Sequence, residues 1–580
     1  MSNIGSQPSR HARWRHSSSL GIKSSKNYIR AQDERSSNET LLASIPSLHK
    51  STNSFSQSAK YQGIASITAH HLYIDTDDDL TFKGYKEPHF TIFSGRGFLN
   101  FFVFATLILS LLTLFAGYPI LEYFRRKSAP TTGSYGLGGT NGTGQVPLIH
   151  PQLLLIDSDT PSSSHSWTSA TGDQYHLVFS DEFNVDGRTF WPGDDPFWTA
   201  VDLWYGATGD LEWYTPEQIN TTGGALHITL DNKPMNDLNF RSGMLQSWNK
   251  FCFSGGYIEF NALLPGSPEE VGYWPGLWMQ GNLGRPGFLA TTDGMWPYSY
   301  NSCDSGILPN QTSPTSPFYE EESTFRNNGK RGLSWNPGMR TPSCTCAGED
   351  HPGPNTNVGR GVPELDVLEA QINTAEGVGE ASQSLQTGPF SNKHRWNQSA
   401  ATFGNDDLTI FNSFRGNVYQ ESVSAVTQIP TKAFQKTSKT FTTFGCEFEP
   451  DYTGSGKGKV TWYIDGKVSW TVTEAAIPAQ KEIDIGQRLV PVEPMTIIMN
   501  LGISEGFQSI KFDSLDFPAV FSVDYVRVYQ PNTYTQDQVS CNPQNYPTSD
   551  YITRHMDVYS NPQLLLWPEP FPKNQLKDGC

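Results

Sequence analysis

The chain has 580 residues, a net charge of −17, 17% charged and 13% aromatic residues. That acidity argues against nucleic acid or an anionic lipid surface as the main partner. With 15 Trp, 24 Tyr, 52 Gly and 39 Pro, the composition points to an all-β protein with many turns rather than a helical one. In chain order, residues 1–97 begin with a serine-rich, weakly basic stretch poor in aliphatic side chains. Such a segment cannot bury enough apolar surface to order itself, so it reads as a disordered cytosolic tail with room for trafficking partners.

Between Arg96 and Glu122 no charge occurs for 25 positions. As a helix this covers roughly 37 Å, more than the ~30 Å hydrocarbon core of a bilayer, and residues 98–121 are expected to be a single-pass transmembrane signal anchor. Flanking charge does not orient it, because Lys83, Lys86 and Arg96 are matched by Arg125, Arg126 and Lys127. The cysteines do: Cys252, Cys303, Cys344, Cys346, Cys446, Cys541 and Cys580 all follow the span, as expected of the half that meets oxidising solvent. Glycosylation sequons at Asn141, Asn220, Asn310 and Asn397 lie on the same side, and one at Asn38 on the other. The expected topology is type II, with a luminal or extracellular C-terminal part. Seven is odd, so at least one thiol is free or pairs with another chain.

Residues 122–170 contain a Gly/Ser/Thr-rich run and read as a luminal stalk. From 171 to 535 the texture changes to short alternating runs between turns, such as HLVFSDEF, GGYIEFNALLPG, KVTWYIDGKVSWTV and MTIIMNLGI. This spacing predicts a two-sheet sandwich or jelly roll, with a hairpin turning at Asp465-Gly466. An irregular insertion, 285–360, interrupts the strands. Its length predicts a stapled or functional loop, and disulfides among Cys303, Cys344 and Cys346 are the expected staple. Metal ligation is not expected, since the CxC pair lacks His or Cys partners at ligand spacing; no cofactor is expected either. Residues 536–580 form a C-terminal extension.

The chemistry concentrates in GVPELDVLEA, which sets Glu364, Asp366 and Glu369 into an otherwise apolar strand. Alternation places Glu364 and Asp366 on one face and Glu369 on the other. A β-bulge at Val367–Leu368 restores the parity and brings all three to one concave face. Two carboxyl groups at roughly 5–5.5 Å on one face are the apparatus of a retaining glycosidase, one attacking and one exchanging a proton with the leaving or accepting oxygen. A third acid between them raises its neighbours' pKa values and helps to keep one protonated. Trp274 and Trp278, just upstream, are the expected sugar-stacking platforms, with Trp213-Tyr214 further away.

From about 177 to 530 the runs LVFSDEF, GGALHITL, SGMLQSWNKFCFSGGYIEFNALLPG, YWPGLWMQGN, PELDVLEA, GKVTWYIDGKV, PMTIIMNLGIS and VDYVRVYQ together resemble glycoside hydrolase family 16. That resemblance implies a concanavalin-like jelly roll on residues 171–535, with Glu364 as nucleophile, Asp366 as assisting acid and Glu369 as general acid/base. The insertion, from GNLGRPG through MWPYSYNSCDSGILPNQT to CTCAGEDHPGPNTNVGRG, is similar to that of the fungal membrane proteins associated with β-glucan synthesis. This closer resemblance implies a role in wall β-glucan, particularly the β-1,6-linked polymer, in the secretory pathway or at the plasma membrane. The run EASQSLQTGPF departs from the hydrolases, which commonly present a histidine there; Gln383 or Gln386 is expected to take its place at the substrate. The reading is therefore a membrane-anchored hydrolase or transglycosylase acting on β-glucan. Its alternatives are a lectin-like glucan-binding scaffold and an adaptor working through the tail.

Overall fold

A computed structural model of the chain describes residues 94–125, 155–311, 336–341 and 345–580. The expectations for the tail, Asn141, most of the stalk and Cys344 fall outside the described residues, as does the side chain of Asn310.

The charge-free run forms a helix. Ser94 caps it by accepting a hydrogen bond from the Gly97 N–H, and Gly95–Leu112 and Tyr118–Arg125 are α-helical around one π-helical turn at Thr113–Gly117. Thr106, Ser110 and Thr113 donate their hydroxyls to carbonyls four residues back, so these polar groups are satisfied within the helix. Gly97–Leu121 has a mean hydropathy of 2.3 and none of its apolar window is buried. It is long and apolar enough to cross a bilayer.

The second unit is the expected all-β sandwich. A ten-stranded and an eight-stranded sheet pack face to face, with a three-stranded sheet beside them. The ten-stranded sheet is centred on Gly256–Leu263, paired antiparallel with Ala519–Pro531 and Thr442–Glu449. Its hairpin Lys459–Ile464/Lys467–Thr473 turns at Asp465 and Gly466, both with positive φ, the backbone that a two-residue hairpin turn requires. Upstream of residue 171, Ser166–Thr168 already pairs with Gln174–Asp181 at the edge of this sheet.

The eight-stranded sheet carries the acids. Its strands in chain order are β1 (Thr199–Ala200), β2 (Met244–Gln246), β3 (Trp274–Gly281), β4 (Glu364–Asn373), β5 (Val378–Thr387), β6 (Thr409–Phe411), β7 (Glu421–Gln428) and β8 (Met495–Gly502). They lie side by side as β6-β7-β5-β4-β3-β8-β2-β1. Alternation decides what each strand gives to the core. Leu277, Met279, Leu365, Ala381, Leu385, Ile497 and Met499 pack inward against Ile258, Phe260, Phe444, Phe448, Trp462 and Val526 of the other sheet.

The insertion and the C-terminal extension build a smaller core of their own, in which Leu283, Ala290, Met295 and Val362 pack on Tyr551, Ile552, Tyr559 and Trp567. Buried Arg340 joins them, donating to the carbonyls of Asp293 and Thr291 and lying 3.5 Å over the Trp567 ring. For Cys346 the expected staple is corrected. Cys346 bonds to Cys580, not to a cysteine within the insertion, because the chain end runs back beside it: the Cys346 N–H donates to the Lys573 carbonyl and Thr345 bridges Asn574. Cys303 is also disulfide-bonded, Cys252 pairs with Cys541, and Cys446 is a free thiol in the main core.

Candidate active site

The bulge lies where the parity argument puts it. Against β3, Leu277 pairs with Leu368 but Trp278 pairs with Asp366; against β5, Asp366 pairs with Ser384 and Glu369 with Ser382. Val367 and Leu368 together oppose one residue, Gln383, and both point into the core. Glu364, Asp366 and Glu369 therefore share the outward face, beside Trp274, Trp278 and Gln280 of β3.

A bulge leaves ladder groups unpaired, and here they are satisfied from the core. The Trp462 indole N–H donates to the Asp366 carbonyl at 2.8 Å, across the sandwich, and the Gln383 amide lies 3.5 Å from the Val367 carbonyl. Gln383 is fully buried and accepts a second bond from Thr427. This corrects its expected place at the substrate. Gln383 shares the core face with Ala381 and Leu385, so it holds the bulge and does not line the cleft. The outward amide is Gln386, which donates to Asp366 at 2.9 Å and is oriented by Gln420.

Each acid has a different set of donors. Glu364 accepts from the Trp296 indole N–H at 2.8 Å and from Gln280 at 3.4 Å. Glu369 accepts from the Ser382 hydroxyl at 3.3 Å and also from Trp274. Burial pushes Asp366 up to about 7, against the pull of Gln386. Burial and the Asp366 charge raise Glu364 well above the carboxylate range. Glu369 is raised by burial and then by both neighbouring charges, so it is the group with most reason to keep its proton.

The two tryptophans frame this row differently. Trp274 is half-buried and stacks face to face on Phe507, 4.3 Å between centroids at 4°. Trp278 is only 8% exposed and donates to Asn500, which in turn donates to the Tyr214 hydroxyl. On the other flank, Ser384 donates to Ser424, and Asn412 donates to both Ser382 and Ser424. Asn220 and Asn397 are exposed. No cluster of three or more His, Cys, Asp or Glu with the arrangement of a metal site occurs among the described residues.

Sequence reasoning named Gln386 beside Gln383 but missed Trp296, Gln280 and Asn500. A signal to choose Gln386 over Gln383 existed, since the apolar Ala381 and Leu385 mark one face of β5 and leave Ser382, Ser384 and Gln386 to the other. Trp296 comes from irregular chain and had none.

The chain matches the family model for the beta-glucan synthesis-associated protein SKN1/KRE6/Sbg1 over residues 70–580. It is 43% identical over 441 residues to the beta-glucan synthesis-associated protein KRE6 of Saccharomyces cerevisiae, covering 74% of this chain and 58% of that one. To the SKN1 protein of the same yeast it is 39% identical over 501 residues, 84% of this chain and 62% of the relative. The chain thus spans about three fifths of the length of these relatives. A solved endo-beta-1,3-glucanase from Pyrococcus furiosus aligns at 18% identity and a TM-score of 0.37, over 64% of this chain and 99% of the other.

Proposed function

Because the chain belongs to the beta-glucan synthesis-associated SKN1/KRE6/Sbg1 family, we propose that its sandwich is a retaining glucan hydrolase or transglycosylase that works on cell-wall β-glucan. The observation that carries this reading is the bulge, which turns three carboxyl groups of one strand to one outward face. Glu364 attacks the anomeric carbon, releasing the leaving sugar and forming a glycosyl ester. Glu369, held protonated by burial and by its neighbours' charges, gives its proton to the leaving oxygen. In the second step Glu369 takes a proton from water or from a sugar hydroxyl, which then displaces Glu364. Asp366 between them favours one shared negative charge over two or three. Trp296 and Gln280 stabilise the ionised form of Glu364 and orient it.

The apolar helix anchors the protein as a type II membrane protein of the secretory pathway or plasma membrane, with the tail cytosolic and open to trafficking partners. Two considerations support that side for the sandwich: its formed disulfides fit an oxidising compartment, and its sequons at Asn220 and Asn397 are exposed at the surface. Trp274 and Trp278 contact the sugar. A second reading, a lectin-like scaffold that binds glucan without turnover, draws on the raised pKa of Glu364, since a protonated carboxyl grips a hydroxyl but does not attack. The test takes the full chain, wild type and Glu364→Gln, with β-1,3- and β-1,6-gluco-oligosaccharides, and follows shorter and longer products by mass spectrometry. Products that vanish in the variant support the enzyme, and their absence from both proteins alongside sugar binding supports the scaffold.

A further inference from the structure

The outward face that carries the acids is covered on one side and open on the other. Toward β8 and β2, register sets Ile498 opposite Trp278 and Gln246 opposite Ile498, and Met244 opposite Asn500. On a bare sheet these outward positions would meet solvent, yet Met244, Gln246 and Ile498 are buried. Their cover is Leu203 and Tyr214 of the three-stranded sheet, with Val201 and Phe288, which pack on Met244, Trp278 and Ile498. Toward β7 and β6 the cover stops. Ile410, paired with Val426 on the face of Ser382, is 46% exposed, and Phe414 is 48% exposed. Asn412, which reaches Ser382 and Ser424, is half-buried.

Phe288 is the part of this cover that the insertion supplies, and it is only 6% exposed. A tight turn presents it: its N–H donates to the Arg285 carbonyl at 2.9 Å. Gly287 has positive φ, and a Cβ there would fall 2.7 Å from a Leu203 methyl, so the turn seats directly on the small sheet. The Arg285 guanidinium lies 3.8 Å over Phe288 and 4.6 Å over Trp248, and donates to the Tyr559 carbonyl of the C-terminal extension. Trp248 stacks on Tyr559 and donates its indole N–H to the Asn282 carbonyl at 3.0 Å. The cover is thus a braced wall, and a sugar chain laid across the strands from β6 toward β2 meets it just past Trp278.

We propose that Phe288, braced by Arg285, closes the cleft beyond Trp278 and limits the acid row to the non-reducing terminal sugar of a glucan chain. The inference rests on the reading of this cleft as a glucan site and adds its mode of action. Asp366 faces Trp278 across one strand spacing and Ile498 across two, roughly 10 Å, which leaves room for about one sugar ring before the wall. Glu364 takes its bonds from Gln280 and Trp296 on the walled side, whereas Glu369 takes one of its bonds from Ser382 on the open side. The donor sugar therefore lies toward the wall, and the leaving chain or the acceptor lies toward β5 and β7. The bond that breaks joins the terminal sugar to its neighbour, whose oxygen takes the Glu369 proton as the glycosyl ester forms on Glu364. The acceptor hydroxyl returns a proton to Glu369 as its oxygen displaces Glu364. A bond in mid-chain does not reach Glu364, because the chain beyond it would have to pass through Phe288.

The test gives the full chain a β-1,3- or β-1,6-gluco-hexasaccharide and reads the earliest products by mass spectrometry. The wild type should yield glucose and pentasaccharide, with heptasaccharide where a second chain accepts the unit. Phe288→Ala should add di-, tri- and tetrasaccharides, and Phe288→Leu serves if the first variant does not fold. A second measurement needs no change at this position. In Glu364→Gln, a benzylidene acetal on the non-reducing end should weaken calorimetric affinity by about tenfold or more, and an aryl group on the reducing end by less than about twofold. Mid-length products from the wild type at the earliest times overturn the wall while leaving the acid row its chemistry. Equal affinity for capped and uncapped chains, or a loss confined to the reducing-end cap, overturns it as well. Loss on capping the non-reducing end, without turnover of the uncapped chain, keeps the wall and removes the catalytic reading. Neither binding nor turnover in any of these proteins overturns both.

Discussion

Both sheets of the sandwich bury carboxylates on their outward faces, and they do so in opposite ways. On the ten-stranded sheet, Glu447 takes the phenol hydroxyls of Tyr175 at 2.8 Å and Tyr463 at 2.7 Å, and Glu259 takes those of Tyr257 at 2.7 Å and Tyr525 at 2.8 Å. Trp167 stacks over Tyr257 at 3.8 Å and closes the layer. Burial raises Glu447, but both phenols pull it back. On the eight-stranded sheet, three acids share one face and each other's charge, both bonds to Glu364 reach the same oxygen, Asp366 takes one bond from Gln386, and all three are raised. A buried carboxylate with both oxygens bonded is a structural part. Carboxyls crowded together with unsaturated oxygens are held ready for chemistry.

This contrast breaks or sharpens by substitution. The largest effect is expected for Glu364→Gln, which should lower turnover of β-gluco-oligosaccharides by on the order of 10³-fold or more while the protein stays folded. Glu447→Gln should do the reverse, leaving turnover unchanged and lowering stability by about 1–3 kcal/mol in denaturant unfolding. If the two variants behaved alike, the distinction between the faces would be lost. Glu369→Gln should slow cleavage of ordinary glycosidic bonds by about 10²–10⁴-fold but spare aryl glucosides whose leaving groups need no proton. Equal losses on both substrates would remove its proton-transfer role.

A smaller effect follows from pH. Asp366 is raised from 3.8 to about 7 by burial, so the folded state binds its proton more tightly than the unfolded chain does. Its contribution to stability is fully present below about pH 4 and is lost as pH rises through about 7. Asp366→Asn should therefore flatten the fall in stability between those values by about 1 kcal/mol or more, read from unfolding at pH 4, 6 and 8; an identical slope in wild type and variant would contradict it. The smallest effect is expected at the bulge. Gln383→Leu removes a buried bond to the Val367 carbonyl and should cost about 1 kcal/mol of stability. It should also lower kcat more than it changes KM, because Glu369 is displaced and the sugar floor is not.

Much of the sandwich and of the acid row is legible in the sequence, whereas the bonded carboxylates of the other sheet are not, and the exceptions have physical reasons. The hairpin at Asp465-Gly466 and the bulge at Val367–Leu368 are local rules of turn chemistry and side-chain parity, which short segments carry in full. Gln383 was misplaced because chemical type was weighed above the alternation of its own strand. The partner of Cys346 could not be read at all, since the pairing joins residues 234 apart through a chain end folded back on the insertion. Trp296 and Arg285 sit in irregular backbone, where no period marks a face, and only the packing of the insertion against the C-terminal extension places them.

The most direct measurement asks whether Glu364 becomes covalently glycosylated. The full chain, wild type and Glu364→Gln, would be incubated with an activated 2-deoxy-2-fluoro-β-glucosyl oligosaccharide, which slows release of a glycosyl ester, and then analysed by peptide mass spectrometry. The retaining mechanism predicts a sugar adduct on the peptide containing Glu364 in the wild type and none in the variant. Turnover without any adduct, or an adduct on a different carboxylate, would contradict the assignment of Glu364 as the attacking group.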